Sequence, residues 1–376
     1  MEAMLVLEDG RTFRGRAFGA AGERTGEVVF NTAMTGYQEI LSDPSYKGQI
    51  VLMTCPEIGN YGTNAGDLES AIPQVEGFVA RNVSVLPSNW RATQGLPQYL
   101  REFGVPGIDD LDTRALTRHL RTRGSMKGII STVDRDPVSL ARKATEAPGL
   151  SDQDLVARVT CKRSYPWDRP REEGWSPRLE PGADGRELHC VAFDFGIKEN
   201  ILRLLSECGF RVTVVPAGCS ASDTLELAPD AVFLSNGPGD PAVVTYAIET
   251  VRELMGRVPI FGICLGLQIA ARALGARTFK LKFGHHGANH PVKDLRTGRV
   301  AVTSQNHGFA VETESLPAGA ELTHVNLNDG TCEGFVDRQA RLLAVQYHPE
   351  SSPGPHDSLD LFREFREMAI AEDQQS

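Results

Sequence analysis

No stretch of this sequence approaches the roughly 20 consecutive apolar residues that span a bilayer. Its opening, MEAMLVLEDGRTFRG, shows neither a signal-peptide core nor a Ser/Arg-rich transit segment. A membrane protein or an exported one is therefore not expected. Basic charge is also in short supply: 39 Lys and Arg against 49 Asp and Glu leave a net charge of −10. A nucleic-acid binder would show a basic face instead. Cysteine is present but unpatterned. The seven are scattered, with no Cys-x-x-Cys pair, which excludes the familiar zinc spacings, argues against a disulfide framework and fits a reducing cytoplasm. Nucleotide signatures are missing as well, since there is neither a Gly-x-Gly-x-x-Gly fingerprint nor a Gly-x-x-x-x-Gly-Lys-Ser/Thr loop. Internal repeats and low-complexity tracts are absent. What remains is an ordinary globular composition, 41% hydrophobic and 23% charged over 376 residues, enough for two domains with their own cores.

Residues 1–150 read as a smaller mixed β/α domain. Met4–Leu7, the Asp9-Gly10 turn and Thr12-Phe13 predict an opening hairpin. Gly26–Phe30 and Gln49–Met53 are further strands, and Asn31–Lys47 between them reads by itself as a polar surface loop. Asp112–Arg121 predicts a helix capped by Asp112 and stopped by Gly124. A linker is expected over 151–186, most plainly in the Pro-, Gly- and charge-rich run Pro166–Arg186, with Trp167 and Trp175 pinning it to the surface. Residues 187–372 then alternate strand and helix: strands at Leu188–Phe193, Arg211–Val215, Ala231–Ser235 and Val258–Ile263, with helices between them stopped by glycines. That alternation predicts an α/β domain with a mainly parallel sheet covered by helices on both faces, its chemistry at the carboxyl ends of the strands.

One such end carries Gly262-Ile-Cys264-Leu-Gly266, between the Val258–Ile263 strand and a helix over Leu265–Leu274. A glycine-x-nucleophile-x-glycine turn suits a sharp strand-to-helix elbow, where side chains on either flank would clash. Cys264 would sit at a helix N-terminus, whose dipole favours a thiolate. An inert cysteine between tightly packed glycines explains the pentapeptide alone equally well. Two other strand ends supply what a nucleophile needs. Ser235-Asn-Gly-Pro-Gly-Asp-Pro241 offers backbone N–H groups at Gly237 and Gly239, which with that of Leu265 could hold a developing negative charge. Leu342–Tyr347 reads as a late strand followed by His348-Pro349-Glu350, a base and an orienting carboxylate held at a stiff corner. The cluster His285, His286, His290 has no carboxylate or cysteine beside it in sequence, so a structural role is expected there and no metal site.

Gly-Ile-Cys264-Leu-Gly together with His348-Pro-Glu350 resembles the signature of class I, triad-type glutamine amidotransferases. The resemblance covers nearly the whole chain. Phe193-Asp-Phe-Gly-Ile-Lys-Glu-Asn-Ile-Leu202, Phe283-Gly-His-His-Gly-Ala-Asn-His-Pro-Val292, Gln305-Asn-His-Gly-Phe-Ala-Val311 and Tyr347–Asp357 are similar to the small, glutamine-hydrolysing subunit family of carbamoyl phosphate synthetase. So are Phe30–Glu39 and Leu41–Tyr46 in the N-terminal domain, which other class I amidotransferases lack. The resemblance implies that Cys264 attacks the amide of L-glutamine, that His348 moves the proton and that Glu350 orients His348. It implies glutamine contacts from Ser45, Gly237, Gly239, Leu265, Gln268, Asn306, Gly308 and Phe309, with Lys198 as a further candidate. It also implies a partner: a large ATP-binding subunit, in a heterodimer or higher oligomer, that takes ammonia through a protected path and feeds arginine and pyrimidine synthesis. ATP and Mg would belong to that subunit, leaving no cofactor on this chain. Leu267 departs from the His frequent in the family, and only a packing difference is expected. The alternatives are another class I amidotransferase, a γ-glutamyl hydrolase, or a catalytically silent regulatory subunit; the N-terminal domain opposes the first two and the intact triad the third.

Overall fold

In the computed structural model, which describes residues 1–169 and 186–371, the N-terminal strands close on themselves. The barrel runs in the order Glu2–Leu7, Thr12–Gly19, Pro106–Asp109, Gly77–Val79, Gln49–Met53, Glu23–Asn31 and Met126–Ser131, the last pairing back to the first. Closure removes the free strand edges that an open sheet of this size would present. Leu5, Leu7, Val28, Ile50, Leu52, Ile108 and Ile130 fill one core, against which Leu116 and Leu120 pack from the helix Thr113–Arg123. That helix starts where the Asp112 carboxylate accepts from the Ala115 N–H at 2.9 Å, and it stops at Gly124.

Asn31–Lys47 is not a surface loop. It holds the helix Tyr37–Ser42 and a single tight turn at Pro44–Tyr46, and most of it is buried. The polar residues that suggested a loop are paired internally: Asn31 donates to the Tyr46 hydroxyl at 2.8 Å, and Asp43 caps the turn by accepting from the Ser45 N–H at 2.9 Å. Glu39 is the exception. Burial and then the nearby Asp67 push its carboxyl up to about 8, and Oε2 has no hydrogen-bond partner among the described residues. A carboxyl whose folded value exceeds the ordinary ~4.3 holds its proton more tightly when folded. Its contribution to stability is thus present below about pH 4.3 and lost as pH rises through about 8. Glu39→Gln is expected to stabilise the chain by about 1–3 kcal/mol near pH 8.5, discounted for partial exposure, and by less near pH 5. Thermal unfolding at the two pH values checks this; a larger gain at the lower pH would contradict it.

The C-terminal region is one ten-stranded sheet in the order Tyr165–Pro166, Phe210–Pro216, Leu188–Asp194, Ala231–Leu234, Ile260–Ile263, Leu342–Val345, Cys332–Asp337, Ala320–Asn326, Thr278–Asp294, Val300–Val311. Neighbours from Phe210–Pro216 to Leu342–Val345 are all parallel. Helices cover both faces of this block. Val251 and Leu254 of Thr245–Leu254 and Ile269 of Leu265–Ala273 pack on one face, while Ile201 and Leu205 of Glu199–Glu207 and Phe362 and Phe365 of Asp360–Ile370 pack on the other. Beyond Leu342–Val345 the remaining strands are antiparallel. The strand–helix alternation stops at Leu274, so the parallel pattern does not extend to them. Among the described residues no helix is long and apolar enough to cross a membrane.

The linker expected over 151–186 is built into the fold as far as Arg169. Val156 sits in the sheet's core, and Leu155 packs against Gly48 of the barrel domain and Gly239 of the sheet domain. Tyr165–Pro166 adds an antiparallel edge strand. Trp167 is buried with the Arg169 guanidinium 4.6 Å above its ring. Proline and charge made this stretch look like a tether, whereas its few apolar side chains anchor it. Residues 170–185, including Trp175, lie outside the described residues.

Candidate active site

The elbow forms at the carboxyl end of Ile260–Ile263. Cys264 has φ +56°, a conformation that costs a side-chain-bearing residue energy and persists only where the surroundings impose it. The flanking glycines impose it by allowing close approach. A Cβ on Gly266 would lie 2.2 Å from the Leu234 carbonyl oxygen, and one on Gly262 would lie 2.8 Å from the Gly266 carbonyl carbon. The Cys264 N–H is held by the Val345 carbonyl at 2.9 Å. Its buried thiol donates to the Asn306 carbonyl at 3.6 Å.

Five strands on in sequence but next to it in the sheet, Leu342–Val345 delivers His348. The His348 N–H bonds to the Ser304 carbonyl at 2.9 Å, which ties this corner to the strand Val300–Val311. His348 Nδ1 lies 2.6 Å from Glu350 Oε1. With Nδ1–H donated to the carboxylate, Nε2 is left for a second partner; it is buried and has no hydrogen-bond partner among the described residues. Burial alone would depress the His348 pKa, but Glu350 and the neighbouring Cys264 sulfur outweigh it and raise the value to about 10. Glu350 moves the opposite way, to about 2, because Lys198 and His348 overcome the effect of burial. The pair therefore favours imidazolium beside carboxylate.

Lys198 does not reach the substrate slot. Its fully buried ammonium donates to Glu350 Oε1 at 2.9 Å and to the Ser351 carbonyl at 2.5 Å. Asn200 donates to the Glu350 carbonyl at 2.6 Å. Lys198 thus acts on Glu350 from behind, a corrected placement that a separation of 152 residues hid from the sequence.

A narrow slot opens over Cys264, about 350 Å³ with its mouth included. Ser45, Gly237, Gly239, Gln268, Asn306, Gly308 and Phe309 line it together with Cys264, joined by Gln49, Leu150 and His307, which the sequence motifs did not single out. Leu265 is fully buried as the first residue of the elbow helix rather than a lining residue; its backbone N–H is one of those that a helix start leaves unpaired. Among the described residues the Gly237 and Gly239 N–H groups have no protein partner either. The barrel domain closes one side of the slot. Asn236 donates to Ser45 Oγ at 2.9 Å, and Asn306 donates to Asp43 Oδ2 at 2.7 Å. Asp43 and Asn236 were the residues missed as interdomain fasteners; the only sequence signal was the Asp-Pro-Ser turn. The Asn306 carboxamide is used at both ends, its oxygen facing His286 Nδ1 at 3.0 Å, so what it presents to Cys264 is its backbone carbonyl. Leu267 is fully buried in the apolar core.

A cysteine elbow backed by a His–Glu pair stands at the carboxyl end of the parallel strands, and residues 191–368 match the family model "Glutamine amidotransferase class-I". Residues 5–130 match "Carbamoyl-phosphate synthase small chain, CPSase domain". Relatives that match nearly the whole of this chain bear the same name. The carbamoyl phosphate synthase small chain of Syntrophotalea carbinolica is 54% identical over 98% of both chains, and that of Aquifex aeolicus is also 54% identical over 98% of both. The chloroplastic small chain of rice, Oryza sativa, is 53% identical over 98% of this chain and 82% of its own. The chain belongs to the carbamoyl phosphate synthase small chain family.

Proposed function

We propose that the slot binds L-glutamine, that Cys264 cleaves its side-chain amide through a thioester, and that the ammonia passes to a larger synthetase chain. The observation that carries this reading is the unpartnered Nε2 of a Glu350-oriented His348 beside an elbow cysteine that lines a narrow slot. His348 accepts the thiol proton as sulfur attacks the amide carbon. The N–H groups of Leu265 and of Gly237 or Gly239 hold the resulting oxyanion. His348 returns its proton to the departing nitrogen, releasing ammonia, and then activates a water that hydrolyses the glutamyl thioester to glutamate. Gln268 holds Phe309 and Gln346 through its amide nitrogen, so its carbonyl oxygen is the end left for the substrate's ammonium.

The relatives are called small chains of a synthase, which supports a larger partner that carries the ATP and Mg and makes carbamoyl phosphate from bicarbonate. The sequence carries no Gly-x-x-x-x-Gly-Lys-Ser/Thr loop for that chemistry. Seven free thiols suit a reducing cytoplasm. The direct test is glutamate release from glutamine by the purified chain, alone and with a co-purified large chain. Weak activity alone and strong stimulation by the partner are expected; absence of glutamate release in both cases would refute the reading.

A further inference from the structure

We propose that His285, His307 and Glu333, with the Gln305 carboxamide oxygen, form a buried site for a divalent transition-metal ion of the zinc class, on the three strands behind the glutamine slot. One ring nitrogen from each histidine and one Glu333 carboxylate oxygen lie within 4.8 Å of one another, and all three residues are buried. The histidines sit on the paired strands Thr278–Asp294 and Val300–Val311, and Glu333 on Cys332–Asp337. In sequence His285 has no carboxylate near it; the fold brings one from a separate strand.

The hydrogen bonds around the cluster point lone pairs inward. His285 Nε2 faces Asp329 Oδ2 at 2.8 Å, so the Nε2–H is donated outward. Its Nδ1 is buried, makes no hydrogen bond among the described residues and lies 3.8 Å from Glu333 Oε1. His307 Nδ1 faces the Phe309 carbonyl at 2.7 Å, which likewise places its proton outward. With Nδ1–H directed at that carbonyl, Nε2 of the neutral tautomer carries the lone pair. That lone pair faces Gln305 Oε1 at 3.0 Å, another acceptor. The Gln305 amide cannot turn to relieve this, because its nitrogen donates to Glu333 Oε2 at 2.9 Å and to Thr303 Oγ1 at 3.1 Å.

A single proton on His285 Nδ1 leaves the conflict in place. At 3.8 Å it makes no hydrogen bond to Glu333, and it offers nothing to the His307–Gln305 contact. A dication satisfies all four acceptors at once. Two imidazole nitrogens and two oxygens make a four-coordinate set suited to zinc. Asp329 and the Phe309 carbonyl then serve as the outer partners that orient metal-bound histidines. His307 lies between Asn306 and Gly308 in the slot wall, so an ion here would stiffen that wall from behind.

The test uses the full chain carrying Cys264→Ala, so that the active-site thiol takes no metal. After chelator treatment it is titrated with Zn²⁺ and Co²⁺. One ion per chain is expected, with the visible absorption of four-coordinate Co²⁺, and Glu333→Gln in the same background should weaken binding at least about 100-fold. Binding below about one ion per ten chains at micromolar free Zn²⁺, or affinity unchanged by Glu333→Gln, overturns the proposal. Should Glu333→Gln fail to fold, X-ray absorption of the zinc-loaded Cys264→Ala chain decides: nitrogen and oxygen neighbours support the site, and sulfur neighbours refute it.

Discussion

Cys264→Ser is expected to lower glutamine hydrolysis by about 10⁴-fold or more while leaving the fold intact. The substitution keeps the size of the side chain and the strained φ of the elbow, so the barrel, sheet and slot remain. What it removes is the thiol: a serine hydroxyl ionises far less readily, and His348 alone does not make it an equivalent nucleophile. Glutamine still has its slot, so binding measured by calorimetry should persist when turnover is gone. The two readouts separate lost chemistry from a collapsed site. If the synthetase partner accepts ammonia from solution, synthesis with added ammonium salt should survive in the variant, since only the glutamine-fed route passes through Cys264.

The second large effect is at the base. His348→Asn is expected to cost about 10²–10⁴-fold in glutamine hydrolysis, the range for loss of a positioned acid–base group. It also has a signature in stability. The folded pKa of His348, about 10, lies above the ordinary ~6.5. Its pairing with Glu350 therefore stabilises the fold fully below about pH 6.5, and that contribution is lost as pH rises through about 10. Thermal unfolding of wild type and His348→Asn should differ most near pH 6 and converge in strong alkali. A constant difference across that range would mean that the imidazole contributes by packing alone. Lys198 stays paired with Glu350 in the variant, which keeps the carboxylate from being stranded without a partner.

Local signals made the catalytic elbow legible. An apolar, β-branched run, a glycine-flanked cysteine and a glycine-stopped helix are all neighbours in the chain, and each constrains the backbone by itself. His348-Pro349-Glu350 was readable for the same reason, since residues two apart at a strand end make the 2.6 Å contact with little help from the rest of the fold. The resemblance to known amidotransferases then extended the reading to residues that no local pattern marks, such as Ser45 and Phe309. What could not be read were contacts between distant segments. Asp43 meets Asn306 across 263 residues, and Lys198 meets Glu350 across 152. Asn31–Lys47 looked like a loop because its polar groups were counted as solvated, whereas Asn31 and Tyr46 pair within the segment and Asp43 and Ser45 also bond across to the sheet domain. The antiparallel extension after Leu274 escaped because its strands lack the intervening helices that announce parallel crossovers. Glu333 belongs with His285 only once three strands are in register.

In the proposed mechanism the Cys264 Sγ is the atom that receives the glutamyl group. A glutamine analogue carrying a chloroketone in place of the amide presents an electrophilic carbon where the scissile carbonyl sits. Peptide mass spectrometry of the treated chain should find one equivalent of label, on Cys264 alone, with glutamine hydrolysis lost in proportion and excess glutamine protecting. Labelling that settles on another cysteine, or full hydrolytic activity in a chain whose Cys264 is completely modified, would contradict it.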